Sequence, residues 1–248
     1  MFLINGMLCL VDLIYTAYRK RKVSDIIESG PKIINGVNND EVSFYFVPKI
    51  VSRSSLGNGI IKKGENAVIY TLPSRELIHE NPEETVKNLY GIYNPAIDLM
   101  DQYVSEGYKI NLIGVSTGNV IAIKAGAELP NGKLKRFDSI TGGLNVGLSA
   151  WKGILTRDIV RRVCKSAEEY EEGVKVFSPA QYVSKIKAEE IFLRIGSCDL
   201  LIPFSEGRLL MEGLKDKADK TDFRTYIGAD HGAAIYLASR ELGRKYKV

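Results

Sequence analysis

From residue 41 onward, short apolar runs alternate with stretches whose apolar residues recur every three or four positions. "EVSFYFVPKIV" (41–51) is rich in β-branched and aromatic residues and predicts a strand; "SRSSLGNG" after it predicts a loop. "NAVIYTLP" predicts a second strand, ended by Pro73 and Ser74. Two helix starts of one kind follow, Asn81-Pro82-Glu83-Glu84 and Asn94-Pro95. Each places a capping side chain before a proline at the first helical position. In the second helix Ile97, Met100 and Val104 share a face and Gly107 closes it. "KINLIG" (109–114) is almost continuously apolar, as a strand covered on both sides must be.

The alternation continues to the end of the chain. "NVIAIKAGAEL" reads as a helix that stops at Pro130-Asn131-Gly132, and "RFDSITGG" as a strand running into a glycine turn. Residues 144–188 interrupt the pattern with helical pieces, with Thr156 as a cap before Ile159, Val160, Val163 and Cys164. "EEIFLRIG" (189–196) is a strand; Ser205 caps a helix through Leu209, Leu210 and Leu214. "FRTYIG" (223–228) is the next strand, and the last helix carries Ile235, Ala238 and Leu242. Strands that alternate with helices imply an α/β fold: a mostly parallel central sheet with helices on both faces. No internal repeat or low-complexity segment breaks the chain.

The first 25 residues stand apart from this domain of 26–248. "MFLINGMLCLVDLIYTAY" is strongly apolar and is followed by Arg19-Lys20-Arg21-Lys22. A secretory signal carries its positive charge before the apolar part, and this segment carries it after. On a helix Asn5, Asp12, Thr16 and Lys20 fall along one stripe, and the run is short for a span of ~20 apolar residues. Three readings compete: an extra N-terminal helix docked on its own domain or on a second copy in a homodimer, an anchor at a membrane surface, and a signal peptide. An anchor that spanned would leave the basic cluster, and the main domain, on the cytoplasmic side.

Composition narrows the remaining possibilities. At 248 residues, 45% hydrophobic and 26% charged, the chain suits one large globular domain or two small ones. A net charge of +4 does not argue for a nucleic-acid partner, and no zinc-finger, RNA-binding or phosphate-loop pattern is present. Cys9, Cys164 and Cys198 form neither a disulfide framework nor a metal spacing. A reducing, cytoplasmic setting is the simpler expectation, with membrane association left to the N-terminal segment. The two histidines, His79 and His231, are too few for a histidine-built metal site. They are also the only candidates for an imidazole base.

Ligands of parallel sheets bind at the carboxyl ends of the strands, so the residues just past each strand carry the chemistry. Ser116 follows "KINLIG", Asp199 follows "EEIFLRIG" and His231 follows "FRTYIG". Ser116 lies in Gly114-Val115-Ser116-Thr117-Gly118 between strand and helix. Asp199 lies in Gly196-Ser197-Cys198-Asp199-Leu200-Leu201-Ile202-Pro203, and His231 in Asp230-His231-Gly232 before the final helix. Over about residues 41–248 this pattern resembles the α/β-hydrolase family. There a G-x-S-x-G elbow is followed by an acid, commonly in a G-x-x-D-x-x-(V/I)-P run, and then by a histidine.

Each motif taken alone has an ordinary structural explanation. Ser116 could cap a helix, Asp199 could be a solvated loop acid, and His231 a packed histidine. The three together, in this order on three loops, specify a nucleophile, an orienting acid and a base. The glycines leave room, since side chains at 114 or 118 would collide with the neighbouring strand and helix. The Thr117 amide, at the start of a helix, would be one oxyanion donor. The family's second donor comes from a loop after an earlier strand, and neither "TLPSREL" (71–77) nor "PKIVSRSS" (48–55) matches its usual pattern. His79 falls in a connecting loop, and Asp138 falls before or early in a strand, at the wrong edge. Trp151 belongs either to a short cap over the site, at about 144–188, or to the core.

The resemblance implies a serine hydrolase of esterase, lipase or thioesterase type. It would form an acyl-enzyme on Ser116 from a small-molecule ester or other acyl substrate and need no metal or organic cofactor. The N-terminal segment tilts this expectation towards lipid-like substrates. The rival reading is a non-catalytic binding or membrane-associated module on the same fold. A fluorescent reporter fused to residues 1–25 separates the readings of that segment. It stays in the soluble fraction if the helix only docks, and it sediments with membranes if it anchors.

Overall fold

The computed structural model describes residues 30–36, 40–49, 60, 64–73 and 77–245. The N-terminal helix expected over 1–25 and the loop "SRSSLGNG" lie outside the described residues. Seven strands form one sheet in the order β1-β3-β2-β4-β5-β6-β7. They are β1 (Lys32–Ile34), β2 (Glu41–Pro48), β3 (Asn66–Leu72), β4 (Lys109–Val115), β5 (Leu134–Ile140), β6 (Ala188–Gly196) and β7 (Ala218–Tyr226). All neighbouring pairs are parallel except β1 with β3, which is antiparallel.

The two-residue period of the strands sorts their side chains into two cores. Phe44, Phe46 and Leu112 point to one face, and Tyr45, Val47, Ile113 and Val115 to the other. The first face is covered by α1 (Pro82–Ser105), α2 (Gly118–Glu128) and α6 (Phe204–Leu214) through Met100, Ile121 and Leu210. The second is covered by α7 (His231–Lys245) through Ile235, Ala238 and Leu242. β4 is buried from Ile110 to Val115, which explains its unbroken apolar sequence. A third cluster, including Ile78, Val146, Ala150, Val160 and Tyr170, holds the short helices α3 (Val146–Lys152), α4 (Arg157–Val160) and α5 (Ala167–Val174) together.

Several boundaries differ from the periodicity. The two helices expected from Asn81 and Asn94 are one helix, α1, with Pro95 inside it. Asn81 is its cap, accepting from the Glu83 N–H at 2.9 Å. A proline in a helix interior costs about 3 kcal/mol. Leu89, Ile92, Tyr93 and Met100 are buried along the same helix, and each large buried side chain returns about 1.5–3 kcal/mol, so packing outweighs the break. β7 starts at Ala218 because its polar first half is an edge pairing with β6, where Glu190 opposes Lys220 and the two form an ion pair at 2.8 Å. It ends at Tyr226, so Ile227 and Gly228 belong to the turn. Pro203 occupies the cap of α6 and Ser205 lies inside its first turn. Thr156 stands at the cap position of α4, but its hydroxyl donates to the Ala150 carbonyl at 2.7 Å instead. β1 has no clear sequence signal, being three residues long.

Arg194, 2% exposed in β6, ties the last two strands to α7. It reaches Asp222 on β7 at 2.9 Å and Glu241 on α7 at 3.0 Å, and Tyr226 donates to Glu241 at 2.7 Å. Desolvation opposes all three charges. Their mutual hydrogen bonds win, holding the guanidinium above its ordinary pKa and both carboxylates below theirs. Among the described residues no helix is long and apolar enough to cross a membrane.

Both carboxylates have folded values below their ordinary 3.8 and 4.5. Their contribution to stability is therefore complete above those ordinary values and is lost as pH falls through the folded ones. Arg194→Met is expected to cost on the order of 2 kcal/mol or more at pH 7 and to flatten the decline of stability below pH ~4.5, read by urea unfolding across pH.

Candidate active site

The parallel sheet brings the ends of β4, β6 and β7 to one edge, and each end places one polar side chain there. Ser116 follows β4 directly and has φ 55°, the left-handed region that costs a non-glycine residue about 1–3 kcal/mol. Its N–H donates to the Ile140 carbonyl at the end of β5, 2.9 Å away. The chain then turns at once into α2. A Cβ on Gly118 would lie 2.0 Å from the Phe46 carbonyl oxygen on β2, and one on Gly114 2.8 Å from Asn119 Cα on α2. The two glycines thus clear, respectively, the neighbouring strand and the following helix.

Asp199 sits in the turn after β6. Its Oδ1 accepts from the Leu201 and Ile202 N–H groups at 2.9 Å each, leaving Oδ2 to face His231. His231 opens α7. The two loops are stitched together: Ser197 N–H donates to the Tyr226 carbonyl, Cys198 N–H to the Ala229 carbonyl, and Gly228 N–H to Ser197 Oγ. Gly196 is required for this approach, since its Cβ would fall 2.4 Å from the Ala229 oxygen.

The structure brings the three side chains into one chain of hydrogen bonds. His231 Nδ1 lies 2.7 Å from Asp199 Oδ2, and Nε2 lies 2.9 Å from Ser116 Oγ. A carboxylate can only accept, so Nδ1 carries the proton donated to Asp199 and Nε2 is free to accept from the serine hydroxyl. All three residues are buried at 8–9% exposure, which limits competition from water.

A pocket of about 590 Å³, counted with its open mouth, lies beside Ser116. Leu77, Ile78 and Leu89 form one side, Leu201 and Ile202 from the Asp199 turn another, and Val146 and Ala150 of α3 a third. The described residues lining it carry no charged side chain. Among its polar members Thr156 bonds the Ala150 carbonyl and the Asn119 amide nitrogen donates to the carbonyls of Ser116 and Ile140, while Thr117 Oγ1, Asn119 Oδ1 and Ser149 Oγ are buried without a partner among the described residues. Trp151 packs against the third cluster with the Arg161 guanidinium 5.0 Å from its ring centre.

No family model matches the sequence, and no curated protein is similar to it. Solved structures are. An acylaminoacyl peptidase of Pyrococcus horikoshii superposes with TM-score 0.58 at 15% identity, covering 88% of this chain and 40% of that one. An esterase of Pyrococcus furiosus gives TM-score 0.54 at 14% identity, covering 91% and 92% of the two chains. The esterase domain of a Rhodothermus marinus protein gives 0.54 at 11%, covering 87% and 90%. This chain has the α/β-hydrolase fold. It spans 40% of the length of the peptidase and nearly all of each esterase unit.

Within the α/β-hydrolase fold, the strand beside the elbow is β2, because β2 and not β3 pairs with β4. "NAVIYTLP" is therefore the strand one place further out, and the segment leaving β2 is the one that starts beside Ser116. Residues 50–59 of that segment, where a second oxyanion donor would be sought, lie outside the described residues. Thr117 stands at the cap of α2, beside Ser116 in the pocket wall, with its Oγ1 buried and without a partner among the described residues.

The two rival residues, set aside in the sequence, lie away from this edge. His79 is exposed, its Nδ1 accepting from Asn81 N–H, and Asp138 is buried in mid-β5 against Arg136. Sequence reasoning missed the pocket walls. Leu77, Leu89, Val146 and Leu201 come from four separate segments, and nothing in their local patterns distinguishes them from core residues. Gly118→Ala is expected to destabilise the protein by about 3 kcal/mol through forced separation of β2 and α2. Urea unfolding measures this, and an unchanged midpoint contradicts the close approach.

Proposed function

We propose that this protein is a serine hydrolase that cleaves carboxylic esters, or related thioesters, through an acyl-enzyme on Ser116. The single observation that carries the reading is the buried Ser116–His231–Asp199 relay, with contacts of 2.9 and 2.7 Å. The esterases and the peptidase of the same fold lend support at the level of hydrolysis.

Ser116 Oγ attacks the substrate carbonyl carbon while its proton passes to His231 Nε2. Asp199, fixed by two backbone N–H groups, holds the Nδ1–H tautomer and stabilises the imidazolium. The Thr117 N–H, at the amino end of α2, is the donor assigned to the oxyanion. The imidazolium returns its proton to the leaving alcohol or thiol. His231 then activates a water, which releases the acid and frees Ser116. The apolar pocket beside Ser116 suits an uncharged hydrocarbon acyl chain, since burying a charge there would find no partner among the described lining residues.

Ser116→Ala is expected to abolish labelling by a fluorophosphonate and to lower kcat on short-chain p-nitrophenyl esters by about 10³-fold or more. Absence of labelling in the wild type, or equal hydrolysis by both proteins, sinks the reading.

A further inference from the structure

We propose that Asn119 is a positioning residue for Ser116: its side-chain amide clamps the left-handed elbow to the end of the neighbouring strand. The role deepens the hydrolase reading and rests on it for its kinetic consequence. Asn119 is 1% exposed in the first turn of α2. Its Nδ2 donates to the Ser116 carbonyl at 3.1 Å and to the Ile140 carbonyl at 3.0 Å, so one group bridges the ends of β4 and β5.

The orientation of the amide is set by its surroundings. Turned over, Oδ1 would face two carbonyl oxygens and no donor. Two glycines also make room for this side chain. A Cβ on Gly114 would lie 2.9 Å from Asn119 Oδ1, and one on Gly142 2.8 Å from Asn119 Cγ. The first glycine of the elbow motif therefore serves Asn119 as much as the helix backbone.

The bridged point is under strain from both sides. Ser116 at φ 55° and Thr141 at φ 52° are the positive-φ residues other than glycine among the described residues, and they follow adjacent strands. The carbonyl between them, Ile140, accepts from Ser116 N–H at 2.9 Å, Thr141 Oγ1 at 2.8 Å and Asn119 Nδ2. Strained backbone persists only where its surroundings over-determine it. The Asn119 amide acts on the carbonyl side of Ser116 and the Ile140 carbonyl on its N–H side. Without the amide, Ser116 keeps only backbone restraints, its own N–H to Ile140 and the Asn119 N–H to its carbonyl at 3.0 Å, and relaxation towards negative φ swings Oγ away from His231 Nε2.

The test uses Asn119→Ala and the isosteric Asn119→Asp, whose ionised form can no longer donate. In crystal structures of the variants, Ser116 is expected to leave φ 55° and the Oγ–Nε2 separation to lengthen beyond hydrogen-bonding reach. This readout does not depend on any activity. Kinetically, kcat on p-nitrophenyl esters is expected to fall about 10²-fold. The Asn119→Asp to wild-type ratio of kcat is expected to rise as pH falls, because a protonated carboxyl regains one of the two donated hydrogen bonds. An unchanged elbow in both variants, or a pH-independent ratio, overturns the positioning role. A wild type that is inert to fluorophosphonate while the variant elbow still relaxes overturns the hydrolase reading alone. Asn119→Asp keeps the shape of the side chain, so it serves where Asn119→Ala does not fold.

Discussion

Ser116 is held in a backbone conformation that an L-residue rarely adopts, and much of the surrounding structure serves that one turn. Gly118 lets the start of α2 lie against the Phe46 carbonyl of β2, closer than any side chain allows. Gly114 opens the space that Asn119 fills, and the Ile140 carbonyl takes the Ser116 N–H. β4 is buried along both faces, so the cores on either side fix where the strand ends. A turn of this kind on an exposed hairpin would relax; here the packing of the sheet resists that.

The partners of Ser116 are positioned by different means. Asp199 is fixed locally, by two backbone N–H groups of its own turn. His231 is fixed from both ends. Its loop is stitched to the Asp199 loop, and its helix is held to β6 and β7 by the Arg194 ion pairs and by Ile235, Ala238 and Leu242. The charge network costs desolvation, but its geometry gives α7 one register against the sheet. A one-residue slip of that helix would carry the imidazole out of reach of both neighbours.

The helices of residues 146–174 supply one wall of the pocket beside Ser116. They form a small apolar cluster of their own and lend Val146, Ser149, Ala150 and Thr156 to the pocket wall. Tyr170 fastens them to the start of α1 through hydrogen bonds to the His79 carbonyl and to Thr85 Oγ1, 2.8 Å each. Burial pushes the Tyr170 hydroxyl up to about 12, so it remains a neutral donor at any ordinary pH. The relay is thus polar and held by hydrogen bonds, while the adjoining pocket is apolar and held by packing.

The alternation of strands and helices, the positions of β2 to β6 and the residues that follow them were legible in the sequence, because burial on both faces gives a strand an unbroken apolar run and burial on one face gives a helix a repeat of three or four residues. Ser116, Asp199 and His231 stood out for the same reason, each lying just past such a strand. Where a local signal competes with packing, it misleads. Pro95 looks like a helix start, yet the buried faces on either side carry one helix through it. The polar half of β7 looks unlike a strand because an edge needs no apolar alternation. The distances within the Ser116–His231–Asp199 relay, the Asn119 bridge, the choice of β2 over β3 beside the elbow and the walls of the pocket were decided only by tertiary structure. Each joins residues far apart in the chain or depends on how two backbones approach, and a one-dimensional pattern records neither.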